Sequence, residues 1–304
     1  MAQVIARLAP DILVLSGIDY DRQAATLTAF RNQIAAEGHG FPHLFAPVPN
    51  AGMPSGHDLN DDGIRHGPDD AHGYGRYAGA RALAVLSRLP IDRQHKRDFS
   101  GFLWRDLAGA KLYTGAPPQA LALHRLSSTA HLELPIRLPD AATLQLLIYH
   151  AGPPAFGNHP DRNKNRNHDE TAFWLRLLND DLSLHPPRPP FVLVGGSNLD
   201  PFDGDGLNAA MRALLAHPAL QDPRPASPGA AARPDPDHAG PAALDTVTWD
   251  APVGSLRVSY VLPSADLQVV DAGVLWPRSD SGLATLLAQT GTRHKPVWVD
   301  LQLN

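Results

Sequence analysis

The chain has 304 residues, 43% hydrophobic and 19% charged, so a sizeable core can form and the whole length suits one large α/β or β-rich domain. Its net charge is −5 and its 26 basic residues form no run or stripe, which disfavours tight sequence-independent binding of nucleic acid. There is no cysteine, which excludes disulfides, zinc–thiolate sites and thiol nucleophiles, and no window approaches the about 20 apolar residues of a membrane span.

Residues 1–10 hold no signal-peptide-like apolar core. They read as the end of an amphipathic helix with Val4, Ile5 and Leu8 on one face, so the sequence is expected to begin inside a fold. The short apolar run 12–15 suits a buried strand. Residues 23–37 carry Ala24, Leu27, Phe30 and Ile34 at helical spacing, and 50–79 form a long polar loop dense in Gly, Asp and His. A buried strand is expected at 82–87, an alternating one at 126–138 ending before Pro139, and another at 143–150. Asn167 can cap a helix with Glu170 as reciprocal partner. That helix would bury Phe173, Trp174, Leu177 and Leu178 and stop before the prolines of 186–190. A strand at 191–194 and a helix at 207–216 follow. The Pro/Ala/Gly-rich run 226–243 reads as a mobile loop, and strands at 256–262 and 296–303 close the chain. Mixed strands and helices with two long excursions favour a two-sheet core flanked by helices over a doubly wound sheet.

Several strand ends carry recognisable words: Asp11-Ile-Leu-Val-Leu-Ser-Gly-Ile-Asp19, Ala84-Val-Leu-Ser-Arg-Leu-Pro90 and Tyr149-His-Ala-Gly-Pro-Pro154, then Val194-Gly-Gly-Ser-Asn-Leu-Asp-Pro201, Leu256-Arg-Val-Ser-Tyr-Val-Leu-Pro263 and Thr292-Arg-His-Lys-Pro-Val-Trp298. In this order, across residues 9 to 302, they resemble the endonuclease/exonuclease/phosphatase superfamily, the DNase I-like proteins. The resemblance implies a four-layered α/β sandwich of two packed mixed β-sheets, metal-assisted phosphoester hydrolysis, and a first strand that this sequence starts too late to contain. Such chemistry needs a hard cation on the phosphoryl oxygens, held by carboxylates, normally magnesium in this family.

Carried over position by position, the resemblance implies a degenerate member. The family's glutamate ligand falls on Gly17, and the Asp of its Gly-Asp-x-Asn word falls on Gly196, while Asn198 remains. The acid of Arg-x-Asp-Tyr becomes Ser259 between Arg257 and Tyr260, and the Asp of the closing Ser-Asp-His becomes Arg293 beside His294. His150 matches the other family histidine. The candidate catalytic residues are therefore His150, His294, Asn198 and Tyr260, with Arg293 and Arg257 as candidate phosphate-binding groups. Each has a structural alternative: the histidines can simply satisfy strand-end backbone, and Asn198 can be a turn residue. The expected function is an impaired phosphoesterase acting on a small phosphoester or lipid; a non-catalytic phosphate- or ligand-binding protein is the alternative.

A second pattern lies in the 50–79 loop. Asp58, Asn60, Asp62, Gly63, Ile64 and Asp69 fit positions one, three, five, six, seven and twelve of a calcium loop, with Asp where a bidentate Glu is usual. The expectation is a structural Ca2+ ion bound by Asp58, Asn60, Asp62, Ile64 and Asp69, against a plain solvated acidic loop. His57, His66 and His72 have no standard metal spacing. His159 and His168 flank the basic stretch 162–166, which either rims a phosphate cleft or is solvated. Asp200, Asp203 and Asp205 read as an acidic turn. The sequence leaves oligomeric state and compartment open.

Overall fold

The computed structural model describes residues 1–157 and 159–303. In chain order, α1 (Ala2–Leu8) leads to β1 (Ile12–Ile18), and α2 (Ala25–Ala36) to β2 (His43–Phe45) and β3 (Ala82–Ser87). Then come β4 (Arg97–Asp98), α3 (Pro118–Leu123), β5 (His131–Arg137), β6 (Thr143–His150), α4 (Pro160–Leu178), β7 (Phe191–Gly196), α5 (Ala209–Leu215) and α6 (Pro228–Ala231). The rest is β8 (Val247–Thr248), β9 (Ser255–Leu256), β10 (Ser259–Pro263), β11 (Gln268–Val274), α7 (Gly282–Gln289) and β12 (Val297–Gln302).

The strands form sheets of order β1-β3-β2, β10-β7-β6-β5-β4, β11-β12 and β8-β9. The five-stranded sheet is mixed: β6 and β7 are parallel, joined by the α4 crossover, and its other pairs are antiparallel. Period-two alternation along β6 builds two cores at once. Leu144, Leu146 and Ile148 pack with Leu83 and Val85 of β3 and with Leu132, Leu134 and Ile136 of β5, filling the space between the two larger sheets. Leu147 and Tyr149 face outward onto Phe173, Trp174 and Leu177 of α4 and onto Met211 and Leu214 of α5. On the far side, Ile5 of α1 and Leu27 and Ile34 of α2 cover Ala84 and Leu86 of β3. Helices, sheet, sheet, helices: these are the expected four layers, and each fully buried leucine or isoleucine contributes about 1.5–3 kcal/mol.

The structure also corrects the reading. Asn167 is not a cap; α4 starts seven residues earlier at Pro160, with proline in its first turn. The stretch before Asn167 looked like a loop because the helix face it presents inward is polar: Arg166, Asn167 and Glu170 are all buried. The 226–243 run contains α6, capped by the Ser227 hydroxyl accepting from the Ala230 amide. The 256–262 run breaks between β9 and β10 at Arg257 and Val258. The 50–79 segment is irregular apart from one 3-10 turn, pinned by bridges from Ala51 to Gly73 and from Pro54 to Ala71. β1 is only half-buried, because it is the last strand of its sheet.

Candidate active site

The C-terminal ends of β1, β6 and β7, the start of β10 and the approach to β12 meet at one end of a groove of about 1260 Å³. Gly17, His150, Gly196, Ser259, Tyr260 and His294 line it together. Gly17 sits at a break in the β1–β3 register with φ +83°, a backbone conformation that favours glycine. His150 lies opposite Gly196 in the parallel β6–β7 pair, with its ring packed against the glycine. A Cβ at residue 196 would fall 2.5 Å from His150 Nδ1 and 2.8 Å from Cε1. The present His150 rotamer therefore requires glycine at 196.

Burial pulls the His150 pKa down to about 4, with His294 and Arg81 adding to the effect, and its Nδ1 is buried without a protein partner. His294 is bridged to Val247 through backbone and meets the Trp249 ring edge-on at 5.7 Å. Burial, then Lys295, lowers its pKa as well. Two neutral imidazoles thus face the groove at neutral pH. Each can donate one hydrogen bond, and neither supplies fixed positive charge. The only acids lining the groove, among the described residues, are Asp11 and Asp300. Asp11 lies beyond the opposite end of β1 from Gly17, and Asp300 is well along β12 from His294.

The other candidates are placed as follows. Asn198 has φ +49° and its Nδ2 donates to the Ala151 carbonyl at 2.8 Å, stitching the ends of β7 and β6. Tyr260 is buried and its hydroxyl donates to the Arg257 carbonyl at 2.6 Å; burial holds its pKa well above that of a free phenol. Arg257 does not reach the groove. Its guanidinium pairs with both carboxylate oxygens of Asp222 at 2.6 and 2.8 Å, lies over the Tyr260 ring, and faces a separate pocket of about 450 Å³. Arg293 also points elsewhere, into a 2.7 Å ion pair with Asp250 at the surface. Both arginines had the right neighbours in sequence, but nearer carboxylates claim them.

The calcium-type loop is closed on itself. Asp58 Oδ2 accepts from the Gly63 amide at 2.8 Å, Asp62 Oδ1 from the Ile64 amide at 2.8 Å, and Asn60 Nδ2 donates to Asp62 Oδ2 at 2.9 Å. Asp69 offers its backbone carbonyl to Arg162, while the neighbouring Asp70 is buried on the amides of Leu59 and Gly67. Among the described residues, no group of three or more His, Asp or Glu side chains could hold a metal ion. This applies equally to the groove end, where imidazole, amide and hydroxyl groups stand without the carboxylates a hard divalent cation prefers. The residues present do not fit the family's metal.

The reading of the sequence missed a polar lattice beneath the site. Arg166 donates to the carbonyls of Leu126, Arg125, Ser127 and His72. Glu170 accepts from the Ser128 amide and hydroxyl and from the Gly152 amide, and burial raises its pKa to about 7. Asn167 Nδ2 donates to the carbonyls of Gly152 and Ser197, each at 2.7 Å. Arg125 donates to Asn50 Oδ1, whose Nδ2 in turn donates to the Ser100 and Ser127 carbonyls. Three neighbouring polar positions of α4 thus fix the loops after β6 and β7 and the irregular 50–79 segment. The available signal was the helical spacing of Arg166, Glu170 and Trp174.

These layers define an α/β sandwich whose candidate site opens at strand ends. The model of the endonuclease/exonuclease/phosphatase family matches residues 1–294, and the chain belongs to that family. All of the chain is similar to the crystal structure of an endonuclease/exonuclease/phosphatase from Beutenbergia cavernae, with 19% identity and TM-score 0.58, and it spans 65% of that chain. A family protein from Leptotrichia buccalis matches 99% of the chain with 12% identity and TM-score 0.53, covering 91% of its own length. ANGEL2, described as a 2',3'-cyclic phosphatase, matches 99% with 12% identity and TM-score 0.52, covering 83% of its own length. At these identities the likeness is one of fold. No curated protein matches the chain.

Proposed function

We propose that this chain is a single-domain member of the family in which metal-dependent phosphoester hydrolysis is impaired, and whose ligand is a small phosphoester or lipid. The family is typically metal-dependent, and hydrolysis there needs charge stabilisation at the phosphoryl oxygens. One observation carries the reading: the groove end bounded by Gly17, Gly196 and Ser259 presents His150 and His294 without a carboxylate. The chain's own residues can offer hydrogen bonds to a phosphoryl oxygen through the two neutral imidazoles. They offer no general base of carboxylate type beside them.

A second reading, ligand binding without turnover, is favoured by the two imidazoles of His150 and His294, which line the same groove and could each donate a hydrogen bond to an anion there. Hydrolysis of bis(p-nitrophenyl) phosphate with Mg2+ or Mn2+ tests the first. The expected rate does not exceed that of a variant carrying both His150→Ala and His294→Ala. A metal-stimulated rate that this variant abolishes would overturn impairment. A rise in melting temperature with inorganic phosphate, lost in the same variant, supports the second.

A further inference from the structure

The cavity of about 450 Å³ faced by Arg257 shares no lining residue with the groove. The turn after β7 gives one wall and the 239–245 stretch another. Asp203 ties the two together, its carboxylate oxygens accepting from the Ala239 and Gly240 amides, each at 2.8 Å. Asp200 is spent on the amides of Phe202, Asp203 and Arg257, and Asp222 on the Arg257 guanidinium. The acidic turn is thus a frame for the cavity. Asp245 differs from these acids. It follows the 3-10 turn 242–244, is only 8% exposed and lines the cavity, yet its carboxyl group accepts no hydrogen bond from the described residues. Burial raises its pKa to about 7; Asp200, Asp203 and Asp235 add to the effect and His238 opposes it.

Two further arginines line the same cavity and are exposed, which puts them at its mouth. Arg212 spends one nitrogen on the Pro201 carbonyl at 2.8 Å, and the Arg224 guanidinium makes no hydrogen bond to the described residues. The remaining lining is apolar apart from Gly240: Pro201, Phe202, Leu215, Ala216, Pro241 and Leu244. Three acids and three arginines cancel in formal charge, so a ligand without net charge suits the cavity. Its two uncommitted ends ask for opposite groups. A buried acid among like charges, with no donor of its own, is answered by a cation, and free guanidinium groups by a carboxylate. Among the described residues the acids do not form a metal site. We propose that this cavity binds a small ω-amino acid, whose ammonium group reaches Asp245, whose carboxylate stays at the mouth on Arg212 and Arg224, and whose methylene stem packs on Leu215, Leu244 and Phe202. A plain amine would meet Asp245 but leave the arginines unpaired, and a plain acid would leave the buried carboxyl group unanswered. The site uses neither His150 nor His294, so it stands whatever the groove does with phosphoesters.

The test is calorimetric titration of the full chain at pH 8, where Asp245 carries its charge, with 4-aminobutanoate, 6-aminohexanoate and 8-aminooctanoate. At least one should bind saturably at one site per chain, and the alkylamine and alkanoate of the same stem at least tenfold more weakly. Asp245→Asn keeps the size of the side chain and removes its charge. It should weaken the best of the three at least tenfold without weakening the alkanoate. Arg224→Gln should weaken that ligand and the alkanoate alike, by at least threefold. If Asp245→Asn does not fold, the analogues on the native chain decide alone. No binding of any of the three overturns the proposal. So does an amine or an alkanoate that binds as tightly as its amino acid, or an affinity unchanged in folded Asp245→Asn.

Discussion

The inner face of α4 and the groove between β1 and β12 treat polar groups in opposite ways. On α4, Arg166 and Glu170 are buried and meet donors or acceptors from three separate loops. In the groove, the corresponding strand ends carry two glycines and a serine, and His150 keeps an unanswered nitrogen. The difference teaches that the dense polar chemistry of this chain holds loops in place, while its family-matched cleft is sparse in charge. Fold and site can drift independently, since function resides in the side chains at the cleft and not in the layers that carry it.

The severest test of that contrast is Arg166→Leu. The substitution leaves the carbonyls of Leu126, Arg125 and His72 without their side-chain donor, takes one of two donors from the Ser127 carbonyl, and leaves Glu170 without a neighbouring cation. A buried network broken from one side costs about 3–5 kcal/mol. Urea unfolding should show it. A loss below about 1 kcal/mol would mean that the lattice holds nothing.

Acid should come next in size, and it touches both regions. His131, stacked on Trp174 and bonded to the Glu170 carbonyl, and His150 in the groove are each held by burial at a pKa of about 4, below the 6.5 of a free imidazole. Depressed in the fold, they contribute stability that is present above pH 6.5 and lost as pH falls toward 4. At about 1.4 kcal/mol per unit, each is worth on the order of 3 kcal/mol across that window. Glu170 acts in the opposite sense: raised from 4.5 to about 7, its contribution is full below 4.5 and disappears as pH rises through 7. Urea midpoints between pH 4 and 8 should therefore drop on the acid side, less so in His131→Phe, while Glu170→Gln should flatten the neutral side. An acid limb unchanged in His131→Phe would contradict the assignment.

The same two regions explain what the sequence disclosed. Apolar runs gave β3 and β6 to the residue, because both strands are flanked by core on two sides and carry mostly hydrophobic side chains. The start of α4 was hidden, because a helix face buried on polar partners lacks the apolar period that marks most helices. β11 was missed for a related reason: five of its seven residues are exposed or half-exposed, so Gln268 and Asp271 interrupt any pattern. At the site, matched words located Gly17, His150, Gly196, Ser259 and His294 on one groove, since strand order fixes where strand ends go. The direction of a long side chain is not encoded that way. Whether Arg257 and Arg293 enter the cleft depended on Asp222 and Asp250, which belong to other segments.

A carboxylate placed in the cleft sharpens the comparison further. Gly196→Asp places a Cβ 2.5 Å from His150 Nδ1, so the imidazole must rotate or the strand must give. Overpacking of this kind costs about 1–3 kcal/mol. Added to His150→Ala, the same substitution should cost less than half as much, a coupling that a double-mutant cycle reads directly. Additivity would show that the ring and the glycine are not mutually constrained, and that the cleft could accept an acid without rearrangement.

The smallest effect is expected at Arg293. Its guanidinium is half exposed and its partner Asp250 nearly fully so, and surface pairs of this kind contribute little. Arg293→Ala should shift the melting temperature by less than about 2 °C. It should also leave any phosphate-induced rise in melting temperature intact, because the side chain is committed to Asp250 rather than to the groove. If the phosphate response vanishes while the ligand-free melting temperature holds, Arg293 must exchange Asp250 for the ligand on binding. The cleft would then recruit its charge from the surface, and its sparseness would describe only the ligand-free protein.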